Sequence, residues 1–537
     1  MVLKRKELRI GSYIVVFLFT IFIYFVFAYI SLTPRAKVNV IQIITVIFFL
    51  VVLFQRQKAT TIERTEMDCD LKVWLILPFV LMIGFLLYVP TLPSYFISDD
   101  FLRVYENWHS PFDAFWTAFA KDHGGAFFRP LGAASFALDK VVWGKWPFGY
   151  HLTNVILHLL SVLGIFFFCK KLQLGVKNSL TAAFFFMILP VETEAIVWIS
   201  SRFDLLATVL MVWSALLYVQ YRIRQKTNLY LIIGLVLEGL ALCSKESAYI
   251  LPLLLILVEL VFLRPHKWRP LLYYFAVAMF MFLYRWNLLG GIGGYIDSTG
   301  QSTALTFKLT TIQGLFLRAP ALMLFGLNWR QPPFVIPMVV AAVLSGILLL
   351  ILFNRNAEGN DTKYLIFCFS WIFLTLLPGH FLLLIDSGLT NSRVLYTASI
   401  GIAILLSLTI SRIYPTRLKL WVIVILFLSF SIGVLHNQSA WRYSAELGYR
   451  TLNSLKKLEP SPPPCTAISI QDMPDTLNGV FFFQQGLPQA IELLYGRSDV
   501  IGYKEGAVEK SLDLSTYSTI RVRFTKNTSK PLERIDK

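Results

Sequence analysis

The sequence is poor in charged residues. Only 15% of its 537 residues are Asp, Glu, Lys or Arg, whereas 56% are hydrophobic. Soluble domains carry about a quarter charged residues, so this composition excludes an ordinary soluble protein. The apolar residues are also gathered into runs of roughly 16–24 residues, the length that crosses about 30 Å of hydrocarbon as a helix. The sequence therefore predicts an all-α polytopic membrane protein.

Cysteine is scarce, and no internal repeat is present. The five cysteines form no CxxC pair, which argues against a disulfide framework. No 34-residue period follows the apolar part, so a TPR array is not predicted there.

The net charge is +17. In a soluble chain this excess would indicate a nucleic-acid partner. Here Lys and Arg cluster in short loops between apolar runs, which is the distribution typical of cytoplasmic loops. We therefore expect the lipid bilayer as a partner and no nucleic acid.

About thirteen apolar runs are candidate transmembrane helices. They cover residues 10–33, 39–54, 72–90, 150–169, 178–190, 203–220, 229–243, 247–263, 270–289, 335–353, 363–379, 394–411 and 419–436. With the N-terminus inside, the basic loops fall in the cytoplasm and the loops that hold the specific charges fall outside. The stretch 311–327 is predicted as an interfacial or re-entrant helix, because a crossing there would invert every later loop.

Three parts follow along the chain. Residues 1–71 are predicted as an N-terminal membrane anchor with two helices. Residues 72–436 are predicted as a transmembrane catalytic domain that holds the acidic outer loop 91–149. Residues 437–537 are predicted as an extracytoplasmic part, with an amphipathic helix from near Trp441, a Pro-rich linker and a small α/β domain.

Two adjacent carboxylates, Asp99 and Asp100, open the first outer loop. A carboxylate at this place can act as a general base on an acceptor hydroxyl, or hold a cation that neutralises phosphate. In the alternative interpretation, Ser98 or Asp99 caps a helix that starts at Phe101. The spacing alone leaves both interpretations open.

Basic side chains recur near the outer ends of the apolar runs. They are Arg129, Arg202, Lys245, Arg285, Arg318 and Arg393. As a set they suit an anionic lipid-linked phosphate, whereas each one alone could snorkel to lipid headgroups.

Further polar residues stand at the same membrane boundary. Glu192 and Glu194 occupy a short outer turn, and Glu246 occupies another. Charged residues between two apolar runs are candidates for function. In the alternative interpretation, these turns are simply solvated. His151 and Asn154 share one helical face. No third ligand has suitable spacing, so hydrogen bonding or a donor contact is favoured there over a metal.

In their order, these pieces resemble the GT-C superfamily of polytopic glycosyltransferases. The resemblance is strongest to the membrane part of the transmembrane-and-TPR protein O-mannosyltransferases and their bacterial relatives, and it covers most of residues 72–455. The pieces are SDDF at 98–101, FRPL at 128–131, YHLTNVILHLL at 150–160, LPVETEAIVWISSRFDLLA at 189–207, CSKESAYILP at 243–252, SRVLYTASIG at 392–401 and the segment around Trp441.

The resemblance implies an inverting transfer of a hexose or mannose-like sugar from a polyprenyl-phosphate donor on the extracytoplasmic face. It assigns the catalytic carboxylate to Asp99 first and Asp100 second. It assigns the donor phosphate to Arg393 and Lys245, and a site-shaping role to Glu192, Glu194 and Arg202. From their positions at the same membrane boundary, Arg129 and Arg202 are added to the predicted phosphate ligands, and Glu246, His151 and Asn154 to the residues that shape the site. No metal site is predicted, although a divalent cation could supply part of the positive charge.

The chain departs from the family pattern because a small α/β domain takes the place of the TPR array. A protein acceptor is therefore in doubt, and a lipid or a surface glycan is an equal candidate. Other functions stay open: a flippase for lipid-linked glycans, which would place charges such as Glu238 at depth, a polysaccharide polymerase or ligase, and a non-catalytic scaffold. The expected location is a bacterial inner membrane.

Overall fold

The computed structural model describes residues 66–106, 108–120, 127–224, 228–294, 319–331, 362–380, 385–505, 516–525 and 527–535. The chain divides into two compact units, residues 1–90 and residues 91–537, and each is considered by itself. In the first unit, helix α1 (Glu66–Tyr88) coincides with the predicted span 72–90.

The second unit consists mainly of helices. They are α2 (Asp100–Tyr105), α3 (Pro111–Ala120), α4 (Pro130–Trp143), α5 (Pro147–Lys171), α6 (Val176–Ile188), α7 (Thr193–Val197), α8 (Arg202–Arg224), α9 (Leu229–Leu242), α10 (Leu251–Phe262), α11 (Arg269–Leu289), α12 (Ala319–Leu324), α13 (Thr362–His380), α14 (Ser399–Ser411), α15 (Thr416–Leu458) and α16 (Leu487–Tyr495). Apolar runs form helices because a backbone in lipid must satisfy its own hydrogen bonds.

Every predicted span that falls on described residues contains a helix, although the spans 247–263 and 394–411 begin in short 3₁₀ turns. Among those residues, four helices are long and apolar enough to cross a membrane, or five if the bent pair α6–α7 is one span. The chain is thus an integral membrane protein, while the number of about thirteen spans stays a prediction. The predicted spans 10–33, 39–54 and 335–353 lie outside the described residues, as do residues 311–318 of the stretch 311–327; its described part contains α12.

Short 3₁₀ turns interrupt the helices where the polar pieces of the sequence lie. They are Pro190–Glu192, Ile199–Ser201, Glu246–Ile250 and Ser392–Leu395. The helices on either side of Pro190 meet at 48°, because proline cannot donate the backbone hydrogen bond that would continue α6. The turn at Ser392–Leu395 packs against the turn at Pro190–Glu192. The breaks therefore bring distant polar residues to one end of the helices.

Helix α15 is a continuous rod of 43 residues. At 1.5 Å per residue it is about 65 Å long, roughly twice the thickness of the hydrocarbon core. The helix predicted from near Trp441 is not separate, because α15 continues from the last predicted span without a break. Asn437, Trp441 and Leu452 are buried, so this part packs against protein.

The C-terminal residues form a small α/β fold, as predicted. The strands are β1 (Thr466–Gln471), β2 (Thr476–Leu477), β3 (Val480–Phe481), β4 (Val500–Lys504), β5 (Ser518–Phe524) and β6 (Leu532–Arg534). The sheet has the order β4-β1-β5-β6, and a separate hairpin pairs β2 with β3. Strand β1 is parallel to β4 and β5, and β6 is antiparallel to β5. Its core is continuous with Leu455 of α15 and with Phe101 of the outer loop.

Candidate functional site

Asp100 fastens the acidic loop to a neighbouring turn. Its Oδ1 accepts hydrogen bonds from the backbone N–H (2.9 Å) and the hydroxyl (2.8 Å) of Ser200, and its Oδ2 accepts one from the N–H of Ile97 (3.2 Å). The side chain is buried, and this burial raises the pKa of Asp100 to about 7 although the hydrogen bonds favour the charged form. Both carboxylate oxygens are thus engaged by the protein.

Asp99 differs from its neighbour in exposure. Its side chain is half-buried, and its Oδ1 accepts a hydrogen bond from the hydroxyl of Ser98 (3.2 Å). Asp99 stands at the N-cap position of α2 but makes no capping hydrogen bond with its side chain, so the helix-cap interpretation is wrong for this residue. Of the two carboxylates, Asp99 is the more exposed.

Glu194 organises the turn that carries Arg393. Its Oε1 accepts hydrogen bonds from Nη1 of Arg393 (2.5 Å) and from the N–H of Asn391 (3.1 Å). Its Oε2 accepts hydrogen bonds from the hydroxyl of Ser392 (3.1 Å) and the N–H of Arg393 (3.0 Å). Glu194 is only 1% exposed. A buried carboxylate with four donors holds both the backbone and the guanidinium of Arg393 in place.

Lys245 joins this group through Asp204. Its ammonium pairs with Oδ1 of Asp204, and Nε of Arg393 lies 3.9 Å from the other oxygen. Burial lowers the pKa of Lys245, and the nearby charges of Arg129 and Arg393 lower it further, while Asp204 opposes this shift. The three cations are therefore close enough to repel one another, a cost that an added anion would relieve.

Glu246 links two more arginines to the same place. Its carboxylate lies 2.9 Å from Nη2 of Arg129 and 3.7 Å from Nη2 of Arg285. Burial by itself would raise the pKa of Glu246, but Arg129 and Arg285 outweigh it and hold the pKa below its usual value. We call Arg129, Lys245, Arg285 and Arg393 the basic cluster; Arg318 lies outside the described residues.

Arg202 is placed differently from the other predicted phosphate ligands. It is 0% exposed, and its Nη2 lies 2.5 Å from Asp139 while its Nε donates to Asn154 (2.8 Å). Asn154 also donates to the carbonyl of Trp198 (3.0 Å), and Nε2 of His151 lies 3.2 Å from the carbonyl of Ser94. These three side chains fix the loops around the site and do not join the basic cluster.

Glu192 is buried next to this region, at 1% exposure. It takes part in no ion pair among the residues that the structure describes. Within the same residues, no group of three or more His, Cys, Asp or Glu side chains is arranged to hold a metal ion.

Aromatic residues that the sequence patterns did not single out complete the site. The guanidinium of Arg393 lies 4.8 Å from the ring of Trp198. Two guanidinium groups lie over the ring of Phe203, that of Arg103 at 5.2 Å and that of Arg129 at 4.9 Å from its centre. Such contacts restrain a guanidinium without neutralising it. Trp198 and Phe203 lie within the sequence piece 189–207, but the sequence of this piece does not indicate that Arg393 and Arg129 contact them.

The chain is similar to curated protein O-mannosyl-transferases over part of its length. It is 30% identical over 176 residues to Protein O-mannosyl-transferase Tmtc1 of Drosophila melanogaster, a match that covers 31% of this chain and 20% of that protein. It is 32% identical over 151 residues to human Protein O-mannosyl-transferase TMTC2, covering 26% of this chain and 18% of that protein. No protein-family model matches the chain.

Among solved structures, the chain is similar to ArnT from Cupriavidus metallidurans. In the apo state the two are 10% identical with a TM-score of 0.48, over 85% of this chain and 93% of that one. With the form of ArnT bound to undecaprenyl phosphate, the identity is 11% and the TM-score 0.47, over 84% of this chain and 93% of that one.

The sequence matches to the protein O-mannosyl-transferases span about a fifth of the length of those curated relatives. Over that fifth, the chain resembles the protein O-mannosyl-transferases.

Proposed function

We propose that this chain is a GT-C-type glycosyltransferase that moves a hexose, such as mannose, from a polyprenyl-phosphate carrier to an acceptor. The observation that carries the proposal is the basic cluster, in which Lys245 and Arg393 share Asp204 at the ends of apolar helices. The names of the partial relatives support a mannose-like sugar. Because they match over a fifth of their length, the acceptor stays open among lipid, surface glycan and protein.

The donor phosphate is assigned to Lys245 and Arg393, with Arg129 next to them. The four cations of this cluster face three carboxylates, Glu194, Asp204 and Glu246, so one positive charge is left over. A lipid-linked phosphate that enters would pair with the two cations and relieve their mutual repulsion. The same cations would stabilise the additional negative charge of the phosphate as it leaves.

The general base is assigned to Asp99. The acceptor hydroxyl attacks the anomeric carbon, the bond from that carbon to the phosphate oxygen breaks, and the electron pair leaves with the polyprenyl phosphate. The proton of the hydroxyl passes to the carboxylate of Asp99. Attack opposite the leaving group inverts the anomeric centre. Asp99 is favoured because it is half-buried, whereas the oxygens of Asp100 are held by Ser200 and Ile97.

The prenyl chain is assigned to an apolar groove of about 510 Å³ between α10 and α13, lined by residues such as Leu253, Leu260 and Phe373. Both helices pack against the turn Glu246–Ile250, which directly follows Lys245. A carrier whose phosphate meets Lys245 can therefore lie along this groove, where its isoprene units replace lipid contacts.

We assign the site to the extracytoplasmic face of a bacterial inner membrane. Lys170 and Lys171 end α5, and Arg222 and Arg224 end α8. Short basic segments favour the cytoplasm, and the candidate site lies at the opposite end of α8, which begins at Arg202. This orientation also places the C-terminal α/β domain outside.

Transfer from a labelled donor tests the proposal. The full chain in nanodiscs, given radiolabelled polyprenyl-phosphate hexoses and membrane extract, is expected to release polyprenyl phosphate and move label to an acceptor. Lys245→Gln is expected to weaken donor binding by about tenfold or more, since a hydrogen bond to a charged group is lost. Lys171→Gln is the control, because Lys171 ends α5 on the side that we assign to the cytoplasm. This variant should bind the donor as the wild type does. Label that stays on every donor tried would contradict the proposal.

A further inference from the structure

The C-terminal domain reaches the acidic loop directly. The backbone N–H of Gln485 donates to the hydroxyl of Ser98 (3.2 Å), and the ring of Phe483 stacks on Phe101 at 5.7 Å and 11°. At Gly486 the backbone comes so close that a Cβ atom would stand 2.3 Å from the carbonyl oxygen of Ser98. We call residues 478–486 the docking segment.

The same segment also touches the surroundings of Arg393. The ring of Phe481 lies 4.6 Å from that of Trp198, which in turn lies 4.8 Å from the guanidinium of Arg393. The carbonyl of Phe481 accepts a hydrogen bond from Ser444 of α15 (2.6 Å). One segment of the C-terminal domain therefore contacts both the carboxylate loop and the neighbourhood of the basic cluster.

These contacts form a relay that ends at the proposed base. The amide of Gln485 donates to Ser98, and the hydroxyl of Ser98 donates to Oδ1 of Asp99. Ser98 has a φ of 47°, in the left-handed region that a non-glycine residue adopts only when its surroundings hold it there. The docking segment provides such surroundings, because it packs on both the side chain and the carbonyl of Ser98.

We propose that the C-terminal domain is an integral part of the catalytic unit, in which the docking segment, through Ser98, positions the carboxylate of Asp99. Ser98 and the Gln485 amide are positioning groups and need not touch the substrate. This inference rests on the proposed function, because it assumes that Asp99 is the base. It differs from the expectation for a tethered acceptor-binding module, whose removal would leave the carboxylate loop unchanged.

Two glycines at the ends of α16 provide a matched test. Gly486 precedes the helix with φ +77°, and Gly496 follows it with φ +68°. Alanine is strained at both positions, but only at Gly486 would its Cβ meet another residue within 4 Å. Gly486→Ala must therefore push the Ser98 carbonyl away by about 1 Å. A displacement of that size near a reacting group can cost on the order of 10²-fold in rate.

The experiment compares Gly486→Ala with Gly496→Ala in nanodiscs. Turnover is divided by the number of sites that bind polyprenyl phosphate. This normalisation separates a lower rate per folded site from a smaller amount of folded protein. Hydrogen exchange of residues 97–105 reports the carboxylate loop independently of activity. We expect Gly486→Ala alone to speed this exchange and to lower turnover per site by on the order of 10²-fold. Ser98→Ala, which adds no atom, should cost on the order of tenfold.

The inference is overturned if the two glycine variants show the same exchange and the same turnover per site, or if exchange rises while turnover does not change. The wild type would still transfer sugar in those cases, and the proposed function would stand. A wild type that transfers from no donor would instead overturn the proposed function, and this inference with it. If Gly486→Ala does not fold, wild-type turnover in Ser98→Ala overturns the inference equally.

Discussion

Glu194 receives hydrogen bonds from both the backbone and the side chain of Arg393, which lies 199 positions further along the chain. The carboxylate is buried while the guanidinium is partly open, at 1% and 11% side-chain exposure. The buried carboxylate therefore holds the guanidinium of Arg393 in one orientation, with its partly open side toward the candidate site. Donor binding should therefore depend on Glu194 although it need not touch the donor.

Glu194→Gln tests that dependence. The amide keeps the shape but removes the charge that holds Arg393, so we expect the Kd for polyprenyl phosphate to rise by about tenfold. Glu446→Gln is the matched control, because Glu446 also lies 2.5 Å from an arginine, Arg450, but in an exposed pair. Equal affinities for the two variants in a binding titration would contradict the role given to Glu194.

Arg202 should matter for stability more than for donor binding. Removing one partner of a buried ion pair leaves an uncompensated charge, at a typical cost of about 3–5 kcal/mol. Arg202→Gln, which abandons Asp139, should therefore lower the Tm strongly. Arg497→Gln breaks a pair of the same 2.5 Å length at the surface, with Asp499, and should leave the Tm nearly unchanged. Thermal unfolding in detergent measures both, and equal Tm values would show that burial of Arg202 is unimportant.

Asp100 should make stability depend on pH. Its folded-state pKa of about 7 lies above the ordinary value of 3.8, so the folded protein binds an extra proton between these values. The stabilising contribution is complete below about pH 4 and is lost as the pH rises through about 7. The Tm of the wild type minus the Tm of Asp100→Asn should therefore fall between about pH 4 and about pH 8. A difference that grows with pH, or does not change, would contradict this.

Much of the fold could be predicted from the sequence, because lipid leaves an apolar run little choice but a helix. The α/β character of the C-terminal residues also follows from local alternation of apolar residues. The continuity of α15 past Trp441 was not predicted, because the chain becomes more polar there, although no helix breaker separates the two parts. That polar part is buried against protein, and burial of this kind depends on tertiary contacts.

The candidate site divides in a similar way. The sequence predicted a group of basic residues that includes Arg129, Lys245 and Arg393, because each stands near the outer end of an apolar run. The structure brings these three together. The same criterion included Arg202, which instead faces Asp139, because position along a helix does not say which way a side chain points. The contact between Gln485 and Ser98 joins residues 387 positions apart, and no local pattern in either segment indicates it.

The most direct test of the central claim is single-turnover transfer by Asp99→Asn. With labelled polyprenyl-phosphate hexose bound in advance and acceptor in excess, loss of a general base should slow transfer by about 10²- to 10⁴-fold. Binding of polyprenyl phosphate should stay within about twofold of wild type, because Asp99 belongs to no ion pair of the basic cluster. Asp113→Asn, in the same outer loop, should transfer at the wild-type rate. Transfer by Asp99→Asn at the rate of that control would contradict the assignment of Asp99 as the base.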